Sequence, residues 1–147
     1  ACRLNGSGTV YAIDSWKRED CIDDESNANQ EWWSKLDLDQ HYANFVAHTV
    51  RADVVKHIQF CRMSSWDASR HLPDVDMVHI DANHAEWPST SDVVNWLPKL
   101  MIGGYIVMDD VNWESTQTAL KFVLKRCSFV SRFDLAESVF AIYRKEK

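Results

Sequence analysis

Short apolar runs alternate along this chain with longer amphipathic stretches, the pattern of strands and helices taken in turn. TVYAI (9–13) reads as a strand that meets Asp14, after a turn at Asn5-Gly6-Ser7-Gly8. Residues 17–30 are polar and acidic, with Asp23, Asp24 and Glu25 among them. They read as a loop, and Glu19–Glu25 as a lid or simply a solvated charged run. From about 27 to 51 the positions of Trp32, Trp33, Leu36, Phe45, Val46 and Val50 predict helical segments, broken near Asp37–Asp39. HIQFCRM (57–63) is the next strand, and Ser65 is placed to cap a short helix that stops before Pro73.

Val75, Met77, Val78 and Ile80 form a buried strand closing on Asp81. A helix over about 89–100 buries Val93, Trp96, Leu97 and Leu100 at helical spacing. Gly103-Gly104 fits a turn into a strand over 105–109, which closes on Asp109 and Asp110. A helix over about 114–126 buries Ala119, Leu120, Val123 and Leu124, and strands near 128–133 and 138–143 close the chain as a hairpin. The order predicts an α/β fold: a Rossmann-like, mostly parallel sheet with helices on both faces and a C-terminal antiparallel hairpin. In an open parallel sheet, ligands and chemistry collect beyond the carboxyl ends of the strands. Asp81, Asp109, Asp110 and His84 fall at that edge, which is the layout of an active site.

Composition narrows the function. At 147 residues the chain is one domain's worth, and 46% hydrophobic with 26% charged content is ordinary for a globular protein. A net charge of -6 argues against a general nucleic-acid binder, since phosphate binding needs a basic surface. No run approaches the roughly 20 apolar residues of a membrane span, and no signal-peptide pattern opens the chain; the cysteine spacing is what points to a cytoplasmic protein. Cys2, Cys21, Cys61 and Cys127 are widely spread with no CxxC pair; reduced thiols fit this spacing better than two disulfides. The glycines are confined to Gly6, Gly8, Gly103 and Gly104, so the Gly-rich phosphate loop usual in nucleotide-binding α/β domains is missing.

VYAIDSW (10–16), FCRMSSWD (60–67), VDMVHIDANH (75–84), WLPKLMIGGYIVMDDV (96–111) and the terminal hairpin, in that order, resemble the class I S-adenosylmethionine-dependent methyltransferases. The nearest likeness is to small-molecule O-methyltransferases whose fourth strand ends in a D-x-x-H loop, here Asp81 to His84. Such enzymes begin with a strand and a glycine loop around the methionine end of the cofactor. Here the chain opens where the helix after that loop would be ending. The resemblance therefore implies a single domain over 1–147, truncated at its N-terminus or rearranged, with the second and fourth strands lacking their shared neighbour.

The resemblance also assigns roles. Asp14 would accept the ribose hydroxyls, unless it is only a turn aspartate or helix cap. Ser65 would hydrogen-bond the adenine and Trp66 cover its face; the alternative is a helix cap beside a core tryptophan. Asp81, Asp109 and Asp110 match acidic positions that hold a divalent metal in metal-dependent members, here Mg²⁺. Strands about 4.8 Å apart let carboxylates from neighbouring ends share one ion, but Asp109 and Asp110 converge only if their strand has ended. The alternative has Asp109 capping the next helix and Asp110 in solvent.

His84 is the candidate general base, since an imidazole titrates near about 6.5; alternatively it only bonds a backbone carbonyl. His79, inside its strand, reads as a buried, satisfied histidine. Trp16, Trp87 and Trp113 would line an acceptor pocket, while Trp32, Trp33 and Trp96 read as core or interface. The implied activity is methyl transfer from S-adenosylmethionine to a hydroxyl of a small molecule, with Asp81 and His84 at the reaction. The alternatives are the same reaction without metal and a degenerate domain that binds a ligand or partner without turnover. An unpaired sheet edge would encourage a homodimer.

Overall fold

The computed structural model describes residues 2–21, 31, 33–135 and 138–147, which form two compact units, 1–68 and 69–147. The first is built on two parallel strands, β1 (Val10–Asp14) and β2 (Ile58–Arg62), paired in register from Val10↔Ile58 to Asp14↔Arg62. The helix α1 (Leu38–Arg51) connects them. Its start explains the expected break: the Asp37 carboxylate accepts the Gln40 N–H at 2.9 Å, capping an otherwise unpaired backbone donor. Trp16, Tyr42, Phe45 and Phe60 pack as a ring cluster, with centroids 4.8–6.3 Å apart in the touching pairs. Trp16 is thus placed by packing. The acidic stretch 22–30 and Trp32 lie outside the described residues; before them, Arg18–Cys21 forms one helical turn.

The short helix α2 (Ser65–His71) is capped one residue earlier than expected. Ser64 Oγ accepts the Asp67 N–H at 3.1 Å and donates to the Asp67 carboxylate at 2.7 Å. That arrangement needs an acid three residues after the cap, which Ser64 has. Trp66 is 52% exposed, so it is not a core tryptophan.

The second unit is a four-stranded sheet in the order β3-β4-β6-β5, from β3 (Val75–Ile80), β4 (Leu100–Met108), β5 (Cys127–Asp134) and β6 (Val139–Lys145). β3 and β4 are parallel, and β6 runs antiparallel to both its neighbours. Two helices, α3 (Glu86–Trp96) and α4 (Gln117–Leu124), supply the connections. α3 starts three residues before the expected 89 because Pro88 falls in its first turn, where a backbone N–H has no helical partner to lose. Val78, Ile80, Ile106, Met108, Ala141 and Tyr143, alternate positions facing one way, are buried with Val93, Trp96, Leu97, Ala119 and Val123 of the helix layer. Met77, Tyr105 and Phe133, on alternate positions, remain exposed. His79 shares the parity of Met77 and is exposed too, contrary to expectation: with Val78 and Ile80 inward, the two-residue period turns it out.

Gly103-Gly104 is not a turn before the strand but an irregularity within it. The pairing passes from Val75↔Leu100 directly to Met77↔Tyr105, so β4 bulges between Leu100 and Tyr105. Gly103 has φ +83°, and a Cβ on Gly104 would lie 2.6 Å from the Asp76 carbonyl oxygen. The Lys145 ammonium is buried and donates to the carbonyls of Leu97 and Leu100, at 2.8 and 2.6 Å, where α3 runs out into β4. All four cysteines are free. No helix of the described residues is long and apolar enough to cross a membrane.

Candidate functional site

Parallel pairing of β3 with β4 brings their carboxyl ends level. Ile80 pairs with Met108, and the Asp109 N–H donates to the Ile80 carbonyl at 3.1 Å, so Asp81 and Asp109 emerge side by side. The strand then stops. Asp110 has φ +47°, a left-handed conformation that aspartate tolerates better than most residues. This turn removes the strand alternation that would have sent the two carboxylates to opposite faces. Asp110 is buried, not in solvent.

His84 enters the same space from the loop between β3 and α3. Asn83 shapes that loop by accepting the Ala85 N–H at 2.9 Å. The His84 Nε2 atom lies 3.9 Å from Asp81, while Nδ1 lies 3.5 Å from Asp110. Nε2 is buried and has no hydrogen-bond partner. Trp113 covers the ring at 5.5 Å between centroids and is itself 45% exposed.

Residues distant in sequence hold this arrangement. Ser138 Oγ donates to the Asp109 carboxylate at 2.7 Å from the start of the terminal hairpin, and the Val111 N–H bonds the Val139 carbonyl at 3.0 Å. Thr116, almost fully buried, donates its hydroxyl to the Asp110 carbonyl at 2.8 Å. Neither Ser138 nor Thr116 is marked by any local motif. Their parts follow only from β6 returning beside β4 and from α4 beginning under the loop.

The acids titrate unequally. Burial pushes the Asp81 carboxyl up, and the charge of Asp109 and the hydrogen bond between the two push it further. Burial also presses Asp109 upward, but hydrogen bonds from Ser138, the Asp110 backbone and Asp81 outweigh it and leave Asp109 lowered. Asp110 is raised, by burial first, with His84 opposing and Asp109 adding to the rise. Of the two neighbouring carboxyls, Asp81 is therefore the one that holds its proton to higher pH.

Asp81, His84 and Asp109 each offer a ligand atom, all within 4.8 Å of one another. Donors on one ion with bonds of about 2.1 Å sit at most about 4.2 Å apart, so a slight closure or a bridging water would let a divalent ion bind. Two carboxylates alone suit Mg²⁺ with waters; an imidazole added to them suits Mn²⁺ or Zn²⁺ better. Asp110, expected as a ligand, is not in the group and faces the other ring nitrogen instead.

The cofactor-binding candidates lie in the first unit. Asp14 Oδ1 accepts the Trp16 N–H at 2.7 Å, the turn geometry that competed with a ribose role, and its side chain is exposed. Ser65 is the half-buried first residue of α2, beside the exposed Trp66. Arg62, paired with Asp14 in register, contacts Asp39 and lies 5.2 Å over the Tyr42 ring. Trp87, in the first turn of α3, is 79% exposed.

Residues 1–111 match the family model of a methyltransferase domain. No curated protein matches the sequence. Among solved structures, the chain is similar to a protein described as an rRNA methylase from Clostridium thermocellum, with TM-score 0.58 and 14% identity over 74% of this chain and 69% of that one. It is also similar to the precorrin-6y C5,15-methyltransferase of Geobacter metallireducens, with TM-score 0.52 and 18% identity over 71% of this chain and 63% of that one. A protein described as an O-methyltransferase from Klebsiella pneumoniae gives TM-score 0.53 and 17% identity over 73% and 58%. The chain thus spans 58–69% of the length of these proteins. With three quarters of its length matched and the α/β order and terminal hairpin in place, the chain belongs to this methyltransferase-domain family.

Proposed function

We propose that this chain transfers a methyl group from S-adenosylmethionine to a hydroxyl of a small molecule, in the cytoplasm, with Asp81, Asp109 and His84 at the reaction. The observation that carries the reading is the buried Nε2 of His84, without a hydrogen-bond partner and 3.9 Å from the Asp81 carboxylate at the strand ends. A buried nitrogen without a partner is costly, and a ligand proton or a metal ion would satisfy it. In this reading Asp110 faces Nδ1, favours the tautomer protonated there and leaves the Nε2 lone pair free. His84 then takes the acceptor's hydroxyl proton as the acceptor oxygen bonds the methyl carbon and the carbon–sulfur bond breaks. Asp81 and Asp109 would hold a divalent ion, which when bound lowers the pKa of the acceptor hydroxyl. Asp14 would meet the ribose, and Ser65 and Trp66 the adenine. Alignment supplies much of the rate, because a sulfonium donor needs only an in-line, deprotonating acceptor.

The test begins with calorimetric titration by S-adenosylhomocysteine, with and without Mg²⁺ or Mn²⁺. Methyl transfer to a panel of small hydroxyl compounds follows, with and without chelator. Activity lost in chelator and in Asp81→Ala supports the metal-assisted form. Full activity in chelator, lost in His84→Ala, supports the same transfer without metal. One observation favours a second reading, a domain that binds without turnover: the Asp14 carboxylate, which would meet the ribose, already accepts the Trp16 N–H at 2.7 Å. Failure to bind S-adenosylhomocysteine under any of these conditions would select it.

A further inference from the structure

We propose that the larger unit carries a second ligand site, for a small amphipathic anion, at the sheet edge opposite the acidic cluster. α3 starts beyond the carboxyl end of β3 and returns to end just before β4 begins; α4 likewise ends just before β5. β6, antiparallel to β4, delivers the end of the chain to that same edge. There Val94, Pro98 and Phe122 line a cavity of about 540 Å³, with Lys125, Arg126 and Lys147 among its walls. That volume falls in the roughly 300–1,000 Å³ range of small-molecule sites.

Two features select the ligand. Val94 is 46% and Phe122 37% exposed, apolar surface that an apolar body would remove from water. The three cations have no carboxylate partner among the described residues, whereas Lys99 is paired with Asp74 and Arg132 with Asp134. The acid nearest in sequence, Glu146, accepts the Ser128 hydroxyl. Helix ends attract cations in any case, but buried Lys145 already serves the end of α3. Lys125 Nζ lies 5.1 Å over the Phe122 ring, but it, Arg126 and Lys147 have no acid partner among the described residues; around one apolar cavity, in a chain of net charge -6, they call for an anionic head on an apolar tail.

Sodium decanoate is the probe, titrated into the full chain below its micellar concentration and followed by calorimetry and backbone amide shifts. The expected result is saturable binding with shifts at Val94, Phe122 and Arg126. Exposed double substitution Lys125→Glu/Arg126→Glu should weaken it roughly tenfold or more, as should Val94→Asp, with melting temperatures unchanged. Decanol, lacking the charge, should bind more weakly. No saturable binding, equal affinity for decanol, or indifference to the charge reversal would overturn the proposal. Binding of an acidic helical peptide in place of decanoate would overturn it too, and assign the cavity to a protein partner.

Discussion

β1 and β3 both run out into an aspartate at the carboxyl end of a parallel strand, yet Asp14 and Asp81 end in opposite circumstances. Asp14 is exposed and already accepts a backbone N–H two residues on, a local bond that any turn aspartate can make. Asp81 has a second carboxylate and an imidazole turned toward it, and its pKa is raised by burial and by Asp109. A strand-end aspartate is therefore not a site by itself. The second unit earns attention because its polar groups converge and stay incompletely satisfied, most clearly at His84 Nε2.

That contrast can be broken most forcefully at Asp81. Asp81→Ala should abolish divalent-ion binding by calorimetry and lower turnover by about 10³-fold or more, an effect large enough to remove most of the catalytic contribution of such a group; retained turnover would return Asp81 to the status of Asp14. His84→Ala should lower kcat by about 10²–10⁴-fold with little change in S-adenosylhomocysteine affinity. Loss of cofactor affinity instead would make His84 a structural residue.

Asp110→Asn is gentler. Asparagine accepts the left-handed backbone, so the fold should survive while the His84 tautomer is less well held, with kcat down about 10–100-fold and the pH–rate profile displaced. An unchanged profile would show that the 3.5 Å contact does not position the ring.

The smaller effects concern stability and the first unit. Asp81 and Asp110 are raised, so the folded chain holds their protons more tightly than the unfolded chain does. Without metal, stability should therefore fall as pH rises from the ordinary carboxylate range through their folded pKa values. Asp109, lowered, acts the other way: its contribution is present above the ordinary value and is lost as pH falls through the lower folded one. In chelator the melting temperature should accordingly drop as pH rises above the ordinary carboxylate range. Asp81→Asn should flatten that drop and melt higher at neutral pH, the reverse of its effect on turnover. Asp14→Asn should be the mildest: the amide oxygen still accepts the Trp16 N–H, so stability holds. S-Adenosylhomocysteine affinity should fall by roughly 1 kcal/mol, about one charge-assisted hydrogen bond. An affinity left unchanged would reduce Asp14 to its turn.

Strand periodicity exposed the carboxyl ends of β1, β3 and β4, and with them Asp14, Asp81, Asp109 and Asp110, because alternation and apolar runs are local properties. Local reasoning also placed Asp37 at the helix break. It misplaced the cap at Ser65, since Ser64 has the acid at the required spacing. It read Gly103-Gly104 as a turn because a bulge and a turn need the same left-handed glycine. Burial of Asp110, exposure of His79 and the grip of Ser138 on Asp109 depend on which elements lie alongside, across 29 residues in the last case. No window along the chain contains that information.

The strand order β3-β4-β6-β5 also dictates how the larger unit must be assembled. β5 is made before β6 but lies outside it, so during synthesis β5 waits at no edge of the sheet until β6 slots in between. For that interval Phe129 and Phe133 sit on an unpaired strand, the kind of surface through which nascent chains aggregate. The residue that pins Asp109, Ser138, arrives in the same final stretch. Structural completion and chemical completion of the second unit therefore coincide: a chain stopped before residue 138 would carry the acids of this edge without the Ser138 hydroxyl that holds Asp109.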